Sequence, residues 1–189
     1  FTKGFAQAFT YRRLPGVRPF VLAGGVRLGL AHGFATRVPR VDASGQPVLD
    51  ASGQPVVDVV TDLPASERFF AGGDTTVRGF ALDRLGSAST LNADGFPTGG
   101  NAMLVLNAEL RTPHVKGVGL VGFVDAGNVF RRAGDLALGD LRAAAGIGVR
   151  YRSPVGPLRF DVGFKLDSAD PTRGSERRVV YHLSIGQAF

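Results

Sequence analysis

Strict alternation of apolar and polar residues is the feature that most limits what this chain can fold into. The segment Ala102–Thr112 shows it most clearly, because apolar side chains alternate there with Asn107, Glu109 and Arg111. The apolar set is Ala102, Leu104, Leu106, Ala108 and Leu110. Successive side chains of a β-strand point to opposite sides, so the pattern predicts a strand with one apolar face and one mixed to charged face.

The same period of two recurs along the chain and predicts about seven strands in all. The other segments are Lys3–Tyr11, Phe20–Ala31, Val118–Phe130, Leu141–Arg152, Leu158–Leu166 and Val179–Phe189. Short turns at Leu14–Gly16, Pro113–Gly117 and Ser153–Gly156 alternate with longer polar connections at Gly33–Ser66, Arg131–Asp140 and Asp167–Arg178. We therefore expect an all-β, antiparallel fold.

Two all-β architectures fit this pattern, a transmembrane barrel and a soluble sandwich. Most predicted strands have the about 9–11 residues that a tilted strand needs to cross an outer membrane. Short turns on one side and long loops on the other are typical of bacterial outer-membrane barrels. A sandwich would carry Lys, Glu and Thr on its water-facing side, whereas the second face here is rich in Gly, Ala and Arg. The pattern favours the barrel, with the apolar face toward lipid.

An odd number of strands does not close a bacterial barrel, and an open edge in lipid would leave backbone groups unpaired. The sequence begins at Phe1, with no initiator methionine and no signal peptide. We therefore expect the chain to be part of a larger barrel or to assemble with another chain. No apolar run approaches the about 18 residues that a transmembrane helix requires.

Composition and motifs argue against an enzyme, a metal site and a nucleic-acid partner. The chain has no cysteine, and His32, His114 and His182 share no metal-ligand spacing. The net charge of +6 comes from arginines scattered at alternate positions, not from one basic block. Neither a G-x-S-x-G elbow nor a phosphate-binding loop is present. We therefore predict no catalytic residue, no metal and no cofactor.

The first long connection contains the tandem duplication DASGQPVLDASGQPVVD, from Asp42 to Asp58. One interpretation is an insertion in an exposed loop, where such changes are tolerated. The other is a calcium or ligand site, because Asp42, Asp50 and Asp58 recur every eight residues. The aspartates lack the close spacing of known calcium loops, which favours the insertion.

Five segments carry a family resemblance, in order from Glu67 to the end of the chain. They are ERFFAGGDTTVRGF, GGNAMLVLNAELRTP, VGFVDAGNVF, AAAGIGVRYRSPVGPLRFDVGFKL and HLSIGQAF. They resemble the signature loop and the following strands of the BamA/TamA superfamily, outer-membrane barrels of the bacterial surface antigen type. The most specific element is Val77-Arg78-Gly79-Phe80, and the segments before Glu67 match only in general character.

The resemblance implies a barrel of about sixteen strands, of which this chain would supply the C-terminal part. Residues 33–66 would then be a variable extracellular loop, and residues 67–99 a signature loop that folds into the lumen. It also implies an integral place in the bacterial outer membrane, in contact with its lipid. Implied partners are client outer-membrane or secreted polypeptides, accessory assembly proteins and periplasmic POTRA domains of the full-length chain.

The resemblance further implies that Arg78 of the loop contacts Glu109 and Asp125 on the lumen wall, with Val77, Gly79 and Phe80 beside it. We call this contact the latch. Glu109 lies independently on the non-lipid face of its strand, and a carboxylate of Asp125 facing acyl chains would be costly. A plain surface salt bridge is the alternative, and it would contribute at most about 1 kcal/mol.

The last segment resembles the C-terminal signal by which barrels are recognised for assembly, carried by Leu183, Ile185 and the terminal Phe189. An aromatic anchor at the membrane interface is the plainer interpretation. The implied function is assembly or insertion of outer-membrane proteins, without catalysis. A two-partner secretion transporter, the barrel anchor of an outer-membrane enzyme and a passive pore stay open as alternatives.

Overall fold

The computed structural model describes residues 1–16, 19–154, 156–166 and 177–186. The described strands are β1 (Thr2–Arg13), β2 (Val21–His32), β3 (Thr36–Pro39), β4 (Val57–Val60), β5 (Ala102–Arg111), β6 (Val118–Phe130), β7 (Arg142–Ser153), β8 (Gly156–Lys165) and β9 (Val179–Ile185). Short 3₁₀ turns lie at Ala65–Glu67, Ala133–Asp135 and Leu138–Asp140. Among these residues, no helix is long and apolar enough to cross a membrane.

Seven of the strands form one antiparallel sheet in the order β1-β2-β5-β6-β7-β8-β9, and β3 pairs with β4 in a separate hairpin. Each strand of the large sheet pairs with the neighbour that precedes it in that order, so the sheet is an up-and-down meander. The all-β prediction and the strands of the large sheet are confirmed. Within the described residues the sheet is open, with β1 and β9 at its edges.

The two faces of the sheet differ as the alternation predicts. On the inner face Glu109 is 1% exposed and Asp125 is 0% exposed, although both carry charge. On the outer face Ile147 is 66% exposed and Leu183 is 79% exposed, although both are apolar. This inversion of the usual soluble arrangement leaves a continuous apolar surface outside and polar groups inside, as a barrel in hydrocarbon requires.

One part of the outer face departs from the prediction. Ala102 and Leu104 belong to the apolar set of β5, but they are 0% and 8% exposed. Leu136 and Leu141 from the connection between β6 and β7 pack on them together with Phe130. The connection between β6 and β7 therefore lies over the outer face at the long-loop end of the sheet. Its apolar side chains are partly buried there. The sequence pattern cannot show which loop covers which strand.

The loop of residues 33–66 is an ordered hairpin, and the sequence analysis missed its strands β3 and β4. Within it, Asp42 Oδ1 accepts hydrogen bonds from the backbone N–H of Ser44 and Gln46, and Asp50 Oδ1 accepts the equivalent pair from Ser52 and Gln54. Asn92 repeats the arrangement in the signature loop. Asp42 and Asp50 therefore cap their own turns, which is a local structural role, whereas Asp58 pairs with Arg40.

The signature loop, residues 67–99, packs its apolar side chains against the inner face of the sheet. The cluster contains Phe69, Ala71, Val77, Phe80 and Leu85 of this loop, Leu63 from the preceding loop, and on the sheet side Ala31, Met103, Val105, Val129 and Ala144. Gly72 and Gly73 adopt positive φ angles of 113° and 100°, which only glycine takes without strain. They reverse the chain so that residues 77–80 reach the middle of the sheet.

Candidate functional site

Arg78 lies at the centre of the inner face and is 1% exposed. Its Nε donates to Asp125 Oδ2 at 2.7 Å and its Nη2 donates to Asp125 Oδ1 at 2.9 Å. The backbone N–H of Arg78 donates to the same Oδ2 at 3.1 Å. The guanidinium fork and the backbone together fix the position of the loop against β6.

Glu109 on β5 is the second acceptor. Arg78 Nη1 donates to Glu109 Oε2 at 2.9 Å, and Arg111 Nε donates to Glu109 Oε1 at 3.0 Å. Arg150 Nη2 lies 3.5 Å from the same Oε1. The structure thus places Arg78 against both carboxylates that the sequence singled out, but the two carboxylates differ in how many arginines contact them. Asp125 is held by Arg78 through two guanidinium bonds, whereas Glu109 is shared among three arginines.

Arg150, Arg159 and Asp161 are buried charged residues that sequence reasoning did not assign, and they join this contact. Asp161 on β8 is 0% exposed and accepts from Arg150 Nη1 at 2.6 Å and from Arg150 Nη2 at 3.2 Å. Arg159 Nη2 reaches back to the loop and donates to Asp74 Oδ2 at 2.8 Å. We name the set Arg78, Arg150, Arg159, Glu109, Asp125 and Asp161 the inner-face ion cluster.

The cluster balances its own formal charge, with three arginines and three carboxylates, all buried. Arg78 Nη1 lies 3.9 Å from Asp161 Oδ2, and Arg159 Nε lies 3.4 Å from the same oxygen. Isolated buried charges are costly, but a paired network offsets much of that cost. The cluster therefore tolerates burial as a unit and would be disturbed by the loss of any single member.

A trough of glycines in the sheet makes room for the loop. The residues paired across one row of the sheet are Glu109, Phe123, Gly146 and Gly163. At Gly163 an added Cβ would lie 2.7 Å from the Arg78 carbonyl carbon and 2.9 Å from the Gly79 nitrogen. At Gly146 it would collide with the Phe123 ring. Glycine at position 163 therefore allows the loop backbone to lie directly on the wall, and glycine at position 146 leaves room for the Phe123 ring.

Two side chains on the wall orient the cluster. The ring of Phe123 lies under Arg78, with the guanidinium carbon 3.6 Å from the ring centroid, a cation–π contact. Asn107 Nδ2 donates to the carbonyl of Thr76 at 2.6 Å and to Asp125 Oδ1 at 2.8 Å. Asn107 therefore ties the residue before the Val77–Phe80 motif to the carboxylate that receives Arg78.

The neighbours of Arg78 in the motif are held by packing. Val77 and Phe80 are both 0% exposed. Two cations lie over the Phe80 ring, Arg142 at 4.5 Å and Lys165 at 4.8 Å from the centroid. Gly79 lies against Ala144, where a Cβ would overlap the alanine methyl group. The four residues thus dock as one element, each for a different physical reason.

The loop also contacts the last described strand. His182 on β9 lies 2.7 Å from the carbonyl oxygen of Arg78, and because a carbonyl only accepts, His182 Nε2 is the donor. Beyond it, Leu183 and Ile185 are 79% and 70% exposed on the outer face. Phe189, the third residue of the expected C-terminal signal, lies outside the described residues.

The alternation in the sequence could have identified the members of the inner-face ion cluster that the sequence analysis did not assign. Arg150, Arg159 and Asp161 all fall on the inner face by parity, as Glu109 does. The cost argument applied to Asp125 applies equally to Asp161, since both would face acyl chains if they pointed outward. Asp74 had no such signal, because its contact depends on how the loop folds back. For Asn107 alternation indicated the inner face but not its contact with Thr76.

Comparison with known proteins shows which family the chain belongs to. The family model of the Omp85 superfamily domain matches residues 2–189. An outer membrane protein assembly factor, BamA of Nitratidesulfovibrio vulgaris, is 32% identical over 132 residues, which cover 68% of this chain and 16% of that protein. The chain therefore spans less than a fifth of the length of this relative.

Proposed function

This chain belongs to the Omp85 superfamily, and on that premise we propose that it forms part of the wall of a barrel that assembles other proteins into the outer membrane. The bacterial outer membrane is its location, as the family and the similar assembly factor indicate. The buried contact of Arg78 with Asp125 and Glu109 is the observation that carries the proposal. It joins the most specific motif of the chain to two neighbouring strands.

The latch braces the signature loop inside the barrel. Breaking a buried ion pair by removing one partner costs about 3–5 kcal/mol, whereas an intact pair adds little over apolar packing. Such a contact is better suited to fixing one loop position than to raising overall stability. A fixed loop keeps the shape of the barrel interior constant while other parts of the barrel move.

The moving part in this proposal is the edge of the sheet. β9 pairs only with β8 among the described strands, and its outward side chains are exposed. An unpaired strand edge can template an incoming strand through backbone hydrogen bonds. A client strand would add to such an edge when the seam of the closed barrel opens, and the outward apolar face would pass it to the lipid.

Catalysis has no part in the proposed function. The buried charges of the inner face are engaged with one another and position a loop. Among the described residues, Ser184 Oγ on β9 is buried and has no hydrogen-bond partner. His182 donates to the loop backbone. The barrel would therefore act mechanically, through strand pairing and loop position.

Reconstitution of the full-length protein that contains this chain tests the proposal. Liposomes with and without the protein receive a urea-denatured outer-membrane barrel, and its folding is followed by protease protection. We expect faster client folding with the protein, and loss of most of that gain in Arg78→Ala. Arg40→Ala is the matched control, because it removes an exposed bidentate partner of Asp58.

The alternatives predict different results in the same vesicles. A two-partner secretion transporter would carry an unfolded polypeptide into the vesicle interior without speeding barrel folding. A passive pore would conduct ions in a planar bilayer, and conductance would change little when the signature loop is removed. Either result, with no acceleration of client folding, would contradict the assembly function.

A further inference from the structure

A cavity of about 520 Å³ lies at the end of the sheet where the short turns are. Three arginines line it, Arg111 at the end of β5 and Arg150 and Arg152 near the end of β7. Alternation directs all three side chains inward, because Arg111 has the parity of Glu109 on β5 and Arg152 has the parity of the buried Arg150 on β7. The charged wall of the cavity therefore belongs to the barrel interior.

His114, in the turn between β5 and β6, adds a further wall to the cavity. Its ring lies over Gly119, where an added Cβ would be 3.2 Å from His114 Nε2. Gly119 has the inward parity of the buried Val121, so the ring covers the inner face of β6. The pKa of His114 lies below its ordinary value because the ring is partly removed from water and because the charge of Arg152 is near. The ring and the Arg152 side chain therefore face the same space.

Carboxylates neutralise the arginines of the cavity on the side away from the turns. Glu109 accepts from Arg111 at 3.0 Å, and Asp161 accepts from Arg150 at 2.6 Å. Arg152 lies two residues nearer the turn and is exposed, and among the described residues no carboxylate pairs with it. The described part of the lining contains no carboxylate. An anion in the cavity would therefore meet positive charge that is not neutralised on the side of the turn.

The whole end of the sheet around the cavity has the same sign of charge. The segments that contain the short turns, residues 12–20, 111–119 and 150–159, hold eight of the 22 Lys and Arg and none of the 16 Asp and Glu. In an outer-membrane barrel the short turns face the periplasm. An acidic ligand that approaches from the periplasm is therefore attracted toward the cavity before it makes any contact.

The size and the remaining lining of the cavity indicate what kind of anion fits. Its volume lies within the range of about 300–1,000 Å³ that is usual for sites of organic ligands. Val121 and Pro157 contribute apolar surface to the inner wall. A free inorganic anion would fill a small part of this space and would not use the apolar wall. A short extended polypeptide segment with acidic side chains would use both the apolar wall and the cations.

We propose that this cavity binds an acidic polypeptide segment at the periplasmic end of the barrel. A carboxylate of the segment pairs with the guanidinium of Arg152, and the uncharged part of the segment lies against Val121 and Pro157. Arginine clusters recognise acidic motifs through charge-assisted and often bidentate hydrogen bonds. Membrane lipid is separated from this site by the sheet, because the face toward lipid is the apolar outer one.

Peptide binding to the full-length protein in detergent tests the proposal. The probe is a fluorescein-labelled heptapeptide of alternating glutamate and alanine, and the control probe has glutamine in place of glutamate. Fluorescence anisotropy gives the two dissociation constants. We expect the glutamate peptide to bind about tenfold more tightly at low salt. The difference should shrink as added salt screens the charges.

Substitutions separate the cavity from the basic end as a whole. Arg152→Gln should weaken binding of the glutamate peptide up to about fivefold, since the lost ion pair is partly exposed to water. Arg152→Lys should restore part of the loss. Lys116→Asn is the matched control, because Lys116 is an exposed cation on a short turn and does not line the cavity. Asn suits position 116, where φ is 50°, and this variant should bind the peptide nearly as the unaltered protein does.

Photocrosslinking locates the bound peptide. p-Benzoylphenylalanine in place of His114, at the wall of the cavity, should capture the glutamate peptide on irradiation. The same group in place of Leu138, which is 70% exposed at the long-loop end, should not. Binding and capture are measured without client folding, so their failure is distinguishable from failure of the assembly function.

Four results would overturn the proposal. Equal binding of the two peptides would remove the role of the carboxylates. Equal weakening by Lys116→Asn and Arg152→Gln would make the binding a general effect of the basic end. Equal capture from positions 114 and 138 would place the peptide elsewhere. Competition by inorganic phosphate that matches the unlabelled glutamate peptide at the same ionic strength would make the cavity a site for a free ion.

Discussion

Two arginine–aspartate pairs in this protein have almost the same geometry and opposite surroundings. Arg78 binds Asp125 through Nε and Nη2 at 2.7 and 2.9 Å, and Arg40 binds Asp58 through the same atoms at 3.0 and 2.6 Å. The side chains of the first pair are 1% and 0% exposed, and those of the second are 55% and 44% exposed. Geometry alone does not distinguish the pairs.

Burial decides what each pair does. Water screens the exposed pair and replaces its hydrogen bonds when it breaks, so its loss costs little. The buried pair has no water to replace a lost partner, and the remaining charge stays in a medium of low dielectric constant. The same type of ion pair therefore closes the exposed hairpin of residues 33–66 and, in the buried case, fixes the position of the signature loop.

The largest expected effect follows from removing the buried arginine. Arg78→Ala leaves Asp125 and part of Glu109 uncompensated, and it should lower the free energy of unfolding by about 3–5 kcal/mol. Arg40→Ala should leave unfolding unchanged within error. Denaturant unfolding of the full-length barrel in detergent measures both. An equal effect of the two substitutions would show that burial is not the deciding variable.

A smaller effect is expected from closing the glycine trough. Gly163→Ala places a methyl group against the Arg78 carbonyl and should displace the loop, at a cost of about 1–3 kcal/mol. Gly122→Ala on the outer face, where a Cβ meets open space, is the control. Protease sensitivity of residues 67–99, together with unfolding, reports the displacement. An undisturbed loop in Gly163→Ala would contradict the close approach.

The coupling energies should separate the two acceptors of Arg78. Double-mutant cycles of contacting charged residues give about 0.5–3 kcal/mol. We expect Arg78 with Asp125 to lie toward the top of this range and Arg78 with Glu109 lower, because Arg111 also binds Glu109. The cycles use Asp125→Asn and Glu109→Gln, with unfolding as the measurement. Absence of coupling in both cycles would refute the latch.

The smallest effect concerns acid titration of the exposed pair. The hydrogen bond from Arg40 lowers the pKa of Asp58 below its ordinary value. A lowered pKa means that the contact is present above the ordinary aspartate pKa of about 3.9 and is lost as the pH falls through the lowered value. Carbon NMR of labelled aspartate follows the titration. Arg40→Ala or high salt should move the pKa back up, and an unchanged value would contradict the assignment.

Alternation in the sequence determined the strands and their two faces. A strand presents successive side chains to opposite sides, so alternation alone places Glu109 on the inner face. The cost of a charge in hydrocarbon similarly assigned Asp125 inward. These inferences succeed because they depend only on local geometry and on the solvent outside the sheet. The pairing of Arg78 with them came from the family resemblance.

Only the tertiary structure decided which residues share the site. Asp74 and Arg159 are 85 positions apart, and His182 lies 104 positions from Arg78, so no local pattern links them. The burial of Leu104 under Leu136 likewise depends on the path of a loop. Hydrogen bonds and ion pairs act over a few ångströms in space. Their partners are therefore set by strand register and loop folding, which the chain acquires only when the whole sheet assembles.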